Sequence, residues 1–418
     1  MAEISALRQA LVDKVKADGH IRSPRIERAF REVPRDLFLP GVAVEEVYRD
    51  RYIITKTVAG EAVSSSSQPQ IMAVMLEQLG LEPGHRVLEI GAGTGYNAAL
   101  IAHIVGETGD VTTVDIDQDI VDEARTHLAA AGFDRVRVIC RDGGFGYSEA
   151  APYDRIILTV GAGDVAPAWR EQLKRGGRLV LPLMVGGAQK SVAFEPGDRH
   201  LVSVSVKECL FIPLRGAFAP AVTRLPLGPA SGLSLWVRDP GQVNTEAAYA
   251  LLTGPPRDTP AAVRLTPPEV YGGLIPWMAL HEPGVFCWFE AEGPSADGSA
   301  VPYLFALAGK YCSSAGLFEE HGACFLMRPP CDASPAEQAA NPPAFDLFVR
   351  GFGDDEALVR RLLDEVQAWN AAGRPGTEGL RIRAYPTDVD YHAAAGEIVV
   401  PNRWTCLVLD WSGDAPPA

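Results

Sequence analysis

The sequence predicts an α/β chain, with a doubly wound, mostly parallel sheet in its first half and a separate α+β domain behind it. Three observations carry this prediction. Short apolar runs alternate with helix-length segments from residue 86 to residue 181, the order that βαβ units impose. The first run leads directly into Glu89-Ile-Gly-Ala-Gly-Thr-Gly95, a glycine-rich strand-to-helix turn. Beyond a Pro-, Ala- and Gly-rich stretch at 217–232 the alternation gives way to short apolar runs between Pro/Gly turns.

The amphipathic spacing of residues 1–20 predicts a helix that ends near Ser23-Pro24. Two prolines make 33–40 irregular, and a helix follows over about 69–79, with Ser67 placed to cap it. The expected strands are 86–90, 111–115, 136–140, 155–158 and 178–181. Helices at 96–105, 117–130 and 165–173 lie between them. Strands near 191–194 and 202–212, with no helix between, suggest an antiparallel edge. These elements define a first domain over 1–218, a linker over 219–232 and a second domain over 233–418. In the second domain Leu358, Val359, Leu362, Leu363, Val366 and Trp369 share one helix face, with Asp354 and Asp355 at its positive end and Gly373 past its negative end.

Composition narrows the function. The chain has 418 residues and a net charge of −15, which speaks against a nucleic-acid partner. Residues 1–220 carry 25 basic and 29 acidic side chains, and the remainder 13 and 24. The second half is therefore the more acidic, either as a face for a basic partner or as a solvated surface. No apolar run approaches the ~18 residues of a membrane span, and the N-terminus lacks a signal-peptide core, so no membrane association and a cytoplasmic location are expected. Seven scattered cysteines are no disulfide framework. Cys312, His321, Cys324 and Cys331 come nearest to a metal-ligand set, but without a C-x-x-C pair they read as buried thiols and a surface histidine, and no metal is expected.

The glycine turn carries the chemistry. Glycines at 91, 93 and 95 let the backbone turn tightly and approach a ligand. Asp115 follows 20 residues after Gly95, at the end of the second strand, where a carboxylate can accept both hydroxyls of a ribose. Asp142-Gly143 follows the third strand, where Asp142 can accept from an adenine amino group. A dinucleotide dehydrogenase is the rival reading. The spacing is G-x-G-x-G rather than G-x-G-x-x-G, so the helix start lacks the pyrophosphate arrangement.

Several motifs together resemble protein-L-isoaspartate O-methyltransferases. They are Val33-Pro-Arg35, Tyr48-Arg-Asp50, Ser67-Gln-Pro69, the run from Val87 to Tyr96, Asp142-Gly143, Tyr153-Asp-Arg-Ile-Ile157, Gly176-Gly-Arg-Leu-Val180 and Phe211-Ile-Pro-Leu-Arg-Gly216. They recur in consistent order over about residues 5–218. The resemblance implies a Rossmann-like class I methyltransferase fold with S-adenosyl-L-methionine as cofactor. Glu89, Gly91, Ala92, Gly93, Thr94, Gly95, Asp115, Ile116, Asp142 and Gly143 would hold it. Ser67 falls on the family's serine beside the substrate carboxylate, and Ser66, Gln68, Val160 and Gly161 would line the substrate side. The partner would be a peptide carrying the carboxylate.

Two departures bear on the substrate. The segment after the fourth strand, Thr159-Val-Gly-Ala-Gly-Asp-Val-Ala-Pro167, carries Gly161 and Gly163 where the family is Ala- and Pro-rich, which suggests a more open or mobile wall. The long C-terminal domain, with the serine-rich Ser64–Ser67 run, resembles the layout of family members that accompany modified ribosomal peptides such as lanthipeptides and graspetides. The expected activity is therefore esterification of an aspartate in such a peptide, cyclised precursors included, leading to succinimide and isoaspartate. General isoaspartyl repair and a non-catalytic peptide-binding role are the alternatives.

Overall fold

The computed structural model describes residues 2–220, 223–228, 232–238, 240–296, 301–302, 304–307, 311–329, 344–354 and 356–411. The chain divides into two compact units: 1–184, 189–220 and 381–418 form one, and 185–188 and 221–380 the other.

The first unit opens with helices Ala2–Ala17 and Pro24–Glu32, the second of which the sequence pattern did not suggest. A hairpin follows, β1 (Ile53–Val58) with β2 (Glu61–Ser66), and then the helix Pro69–Leu79. Next come the parallel strands β3 (Arg86–Ile90), β4 (Asp110–Asp115), β5 (Arg137–Cys140), β6 (Tyr153–Leu158) and β7 (Leu173–Val185), in the sheet order β7-β6-β3-β4-β5. Val87, Leu88 and Ile90 of β3 are all buried, as a strand covered on both faces requires. Helices Tyr96–Val105 and Gln118–Ala130 connect the first three of these strands. The expected helix at 165–173 shrinks to Pro167–Glu171, because Leu173 already opens the long β7. β8 (Ala188–Pro196) and β9 (Leu201–Glu208) form the antiparallel extension.

The second unit is an antiparallel sheet of β10 (Thr223–Leu227), β11 (Leu233–Val237), β12 (Arg257–Leu265), β13 (Phe286–Glu292), β14 (Phe305–Leu307), β15 (Tyr311–Glu319), β16 (Gly322–Met327) and β17 (Phe345–Gly353), in the order β10-β11-β13-β15-β16-β17-β12 with β14 on β15. β10 lies inside the stretch expected to be a linker; its Leu227 is fully buried and pairs with Leu233. The helix Glu356–Ala371 buries Leu358, Leu362, Val366 and Trp369 of the predicted face, Val359 and Leu363 are partly buried at its edge, and Gly373 beyond it takes a φ of 84°. Asp355, expected at its start, lies outside the described residues, as does Cys331. Cys312 and Cys324 are buried. Among the described residues no group of three His, Cys, Asp or Glu side chains is placed to hold a metal ion, and no helix is long and apolar enough to cross a membrane.

The boundary expected at 233–418 needs correction. β18 (Arg381–Pro386), β19 (Ile398–Pro401) and β20 (Thr405–Asp410) return to the first unit's sheet in the order β19-β20-β18-β9. Arg383 pairs with Val202 and Ala384 with Leu201, and the Ile382 amide donates to Ser203 Oγ at 2.8 Å. The reason is an unpaired edge: β9 needs a neighbour, and Ile382, Ala384, Leu407 and Leu409 have apolar surface to bury.

A chain ended at residue 220 lacks β18–β20 and leaves β9 open. It is expected to aggregate or to unfold without a cooperative transition, as followed by size exclusion and thermal circular dichroism. A monomeric 1–220 fragment that melts cooperatively would show the returning strands to be dispensable.

Candidate active site

An open cavity of about 790 Å³ lies at the carboxyl ends of β3, β4 and β6, lined by Ile90, Val114 and Thr159 among others. The strand order reverses between β3 and β6, and such a switch point leaves a crevice that helices do not fill. Gly91–Thr94, Asp115, Ile116, Gly143, Ser66, Ser67 and Val160 line the cavity; Glu89, Gly95, Asp142, Gln68 and Gly161 do not. The sequence-predicted residues thus divide into a lining and a support.

The glycine turn shows why. Gly91 has a φ of 100°, and a Cβ there would lie 2.6 Å from Thr159 Oγ1, so no other residue lets β3 and β6 converge at this point. Gly95 caps the helix Tyr96–Val105 in a left-handed conformation. Beneath the turn, Glu89 is fully buried. Its carboxyl accepts from Asn97 Nδ2 at 2.7 Å and Thr113 Oγ1 at 2.6 Å. Burial pushes its pKa up to about 7, against the pull of those two donors. Glu89 is therefore a tie between β3, the helix and β4, not a lining group.

Asp115 ends β4 with its side chain at the cavity. Its Oδ2 accepts from the Gly93 amide at 3.1 Å, and Oδ1 has a longer contact of 3.4 Å with the Asp117 amide. Burial raises its pKa, and these backbone donors oppose the shift. Asp142 differs from expectation. Its Oδ1 accepts from the Gly144 amide at 2.9 Å and its Oδ2 from the Ala217 amide at 2.8 Å. The carboxylate clamps two backbone segments behind the cavity, and only its neighbour Gly143 reaches the lining.

The opposite wall is the serine run. Residues 63–67 all line the cavity, so Ser64 and Ser65 join the predicted Ser66 and Ser67. Ser67 does not cap the following helix. The cap position is Gln68, without a side-chain bond, and Asp50 Oδ1 accepts from the Gln70 amide instead, at 2.9 Å. Gln68 turns away from the cavity, its Nε2 donating to Asp50 Oδ2 at 3.2 Å. This frees the Ser67 hydroxyl from a capping role. The run is held by Arg35, which is fully buried. Its Nη2 donates to Ser67 O at 3.0 Å and Ser66 Oγ at 3.3 Å, and its Nη1 to Val47 O at 3.1 Å. Arg35 appeared in the Val33-Pro-Arg35 landmark, but nothing in sequence alone assigned it this task.

The third wall is the segment after β6. Gly161 and Gly163 do not open it. A Cβ at Gly161 would lie 2.6 Å from Gln189 Nε2, and one at Gly163 would lie 3.0 Å from Pro220 Cα. The Gly161 amide donates to Ile212 O at 2.8 Å, and its carbonyl accepts from the Leu214 amide at 2.7 Å. The glycines permit close packing, and they bring residues 212–215 into the lining, which the Phe211–Gly216 motif signalled without a role. At the rim, Asp117 accepts from Arg215 Nη2 and from Lys56 Nζ, both at 2.9 Å. Arg215 first, and then Lys56, holds its carboxyl below the usual range.

This donor set suits a nucleoside. A carboxylate faces the cavity with one oxygen weakly engaged, the turn offers backbone without side chains, and Ile116, Val160 and Ile212 give apolar surface. Fold and cavity define a Rossmann-like class I methyltransferase, an enzyme dependent on S-adenosylmethionine. The family model described as protein-L-isoaspartate(D-aspartate) O-methyltransferase matches residues 6–218. The chain is 38% identical over 224 residues to the protein-L-isoaspartate O-methyltransferase of Methanopyrus kandleri, covering 50% of this chain and 91% of that one. It is 39% identical over 220 residues to that of Hyperthermus butylicus, covering 50% and 89%. A solved protein-L-isoaspartate O-methyltransferase structure aligns with 92% of this chain and 97% of its own, at 25% identity and a TM-score of 0.50. The chain belongs to the protein-L-isoaspartate O-methyltransferase family and is a carboxyl O-methyltransferase.

The Glu89 tie carries a pH signature. A carboxyl raised on folding stabilises fully below its unfolded value of about 4.3, and that contribution is lost as pH rises to the folded value. Stability should therefore fall between about pH 4.5 and the folded pKa of about 7, by on the order of 3 kcal/mol. Glu89→Gln, which keeps one acceptor and the shape, should flatten this decline in chemical denaturation measured at pH 5, 6, 7 and 8. Parallel curves for both proteins would contradict it.

Proposed function

We propose that the enzyme methylates the free carboxylate of isoaspartyl sites in proteins and peptides. What supports this is one cavity that gathers the glycine turn, Asp115 and the serine run, together with relatives that are protein-L-isoaspartate O-methyltransferases. In this reading residues 91–94, Asp115, Ile116 and Gly143 hold S-adenosylmethionine, with Asp115 accepting from ribose hydroxyls. When bound, that cofactor supplies an electrophilic methyl group that a carboxylate oxygen takes by displacement. The substrate carboxylate is ionised at neutral pH, so the protein need provide no general base. Its contribution is position and exclusion of water. Ser67 donates to one carboxylate oxygen and leaves the other directed at the methyl, while Ser66, Val160 and the backbone near Gly161 shape the substrate wall. The following backbone nitrogen then attacks the methyl ester carbonyl, and the C–OMe bond breaks to release methanol, which carries off the amide proton. The succinimide that forms hydrolyses to aspartate and isoaspartate, and repeated cycles restore aspartate.

The narrower reading, esterification of an aspartate in a modified or cyclised ribosomal peptide, rests on the C-terminal extension and the Ser64–Ser67 run, with an open 159–167 segment as the sign of a different pocket. The segment is pinned. A solved isoaspartyl methyltransferase also aligns over nearly the whole chain, so an extension does not by itself mark a peptide-tailoring enzyme. The general isoaspartyl substrate is favoured.

Incubation with a synthetic isoaspartyl peptide and its aspartyl twin tests this. The isoaspartyl peptide should gain 14 mass units, the difference between a methyl group and the proton it replaces, and the twin should not; the reverse would restore the tailoring reading. Ser67→Ala should slow single-turnover methylation by about tenfold, the value of one hydrogen bond to a charged group, with cofactor affinity unchanged. A normal rate would remove Ser67 from the reaction. Asp115→Ala should weaken S-adenosylhomocysteine binding by roughly 1.5–3 kcal/mol in calorimetry; an unchanged affinity would refute its assignment to the ribose.

A further inference from the structure

The returning C-terminal strands do more than close an edge. Thr405, the first residue of β20, is fully buried. Its hydroxyl and amide, with the Trp404 amide, all donate to the carboxylate of Asp164, the Trp404 amide at 2.6 Å. Asp164 sits in the segment between β6 and the helix Pro167–Glu171, three residues past Gly161. Its Oδ1 also accepts from the Val165 amide at 2.7 Å. Through Gly161 this segment is bonded to residues 212 and 214 of the cavity lining. A second contact runs in parallel. The Trp404 ring packs on Phe218 at 5.4 Å, and Phe218 packs on Trp169 at 6.4 Å. Trp169 Nε1 donates to Gly143 O at 2.9 Å. Trp404 and Thr405 thus back the walls formed by 159–164 and 211–218.

We propose that Trp404 and Thr405 are positioning residues for the substrate wall of the active site, acting through Asp164, so that the catalytic unit of this enzyme includes residues 381–411 as well as the family-like 6–218. The proposal rests on the cavity being the methyl-transfer site. The Thr405 hydrogen bonds end on Asp164, in the segment expected to face the peptide, so its hydroxyl acts on peptide turnover, while the Trp404 stack reaches Gly143 on the cofactor side.

Full-length Thr405→Val tests it, since valine keeps the size and removes the hydroxyl donor. Hydrogen exchange should accelerate in 159–166 and 211–216 and remain unchanged in 86–95. For an isoaspartyl peptide kcat/KM should fall about tenfold, chiefly through KM, with S-adenosylhomocysteine affinity within about twofold. Thr405→Ser, which keeps the donor, should restore both. Wild-type kinetics in the valine variant would overturn the proposal. So would an equal loss of cofactor affinity and exchange protection throughout the sheet, the mark of a merely structural role. If the wild-type enzyme leaves isoaspartyl peptide unmethylated, the reading of the cavity fails instead. The exchange pattern then decides the brace alone, and protection unchanged in 159–166 would overturn it.

Discussion

Glu89 shares its carboxyl between Asn97 and Thr113 with no exposure to solvent, and the geometry of the cavity follows from that bond set. Asn97 lies in the first turn of the helix after the glycines, and Thr113 on the neighbouring strand. With both held to the end of β3, the intervening turn has one path, and Gly91 is the residue that lets it pass Thr159. The Gly93 amide then points at Asp115. A buried acid without donors would cost several kcal/mol. Two neutral donors make it tolerable while leaving it close to neutrality, so it ties the elements without placing a second firm charge beside Asp115.

The serine wall uses the opposite charge in the same manner. Arg35 spreads its guanidinium over the carbonyls of Val47 and Ser67 and the hydroxyl of Ser66. Burial lowers its pKa, and Tyr96 and Asp50 oppose this at longer range. A planar fork of donors fixes several chain segments at once, which an ammonium of the same charge does not. Tyr96, whose ring centroid lies 5.8 Å from this guanidinium, belongs to the helix that Glu89 anchors. The two buried ionisable groups therefore brace the two sides of one cavity through a shared aromatic ring.

Much of this was legible in sequence, for reasons specific to each element. Strands such as Val87–Ile90 are mostly apolar because both faces are covered, Glu89 being the exception, and glycines at 91, 93 and 95 have few uses other than a close approach. The lining role of Asp115 followed from its place at a strand end. The support roles of Glu89, Asp142 and Gln68 did not follow, because sequence spacing places a side chain on an element but does not say which of several backbone donors or acceptors it meets. Ser67 illustrates the limit: a serine before a helix suggests a cap, yet Asp50, from a remote segment, takes that position. The fate of 381–410 was less accessible still. Its alternating burial suits any sheet edge, and the choice of β9 over the second unit's sheet depends on an edge some 180 residues earlier, as the pairing of Ala384 with Leu201 shows.

That non-local pairing changes what the family-like region means. The match to the family model ends at residue 218, but the sheet it describes does not end there in this chain. The chain leaves β9, runs through the whole antiparallel second unit, and comes back to pair with the strand it left. An insertion between neighbouring strands is tolerated when its own core is self-sufficient, and the buried set from Leu265 to Trp369 provides such a core. The returning segment is then free to carry side chains that the shorter region lacks. The Asp164 carboxylate, itself held by burial above its ordinary pKa, meets three of its donors from Trp404 and Thr405 in that segment, beside the adjacent Val165 amide. The extension thereby enters the scaffold of the methyltransferase site and ceases to be a mere appendage to it.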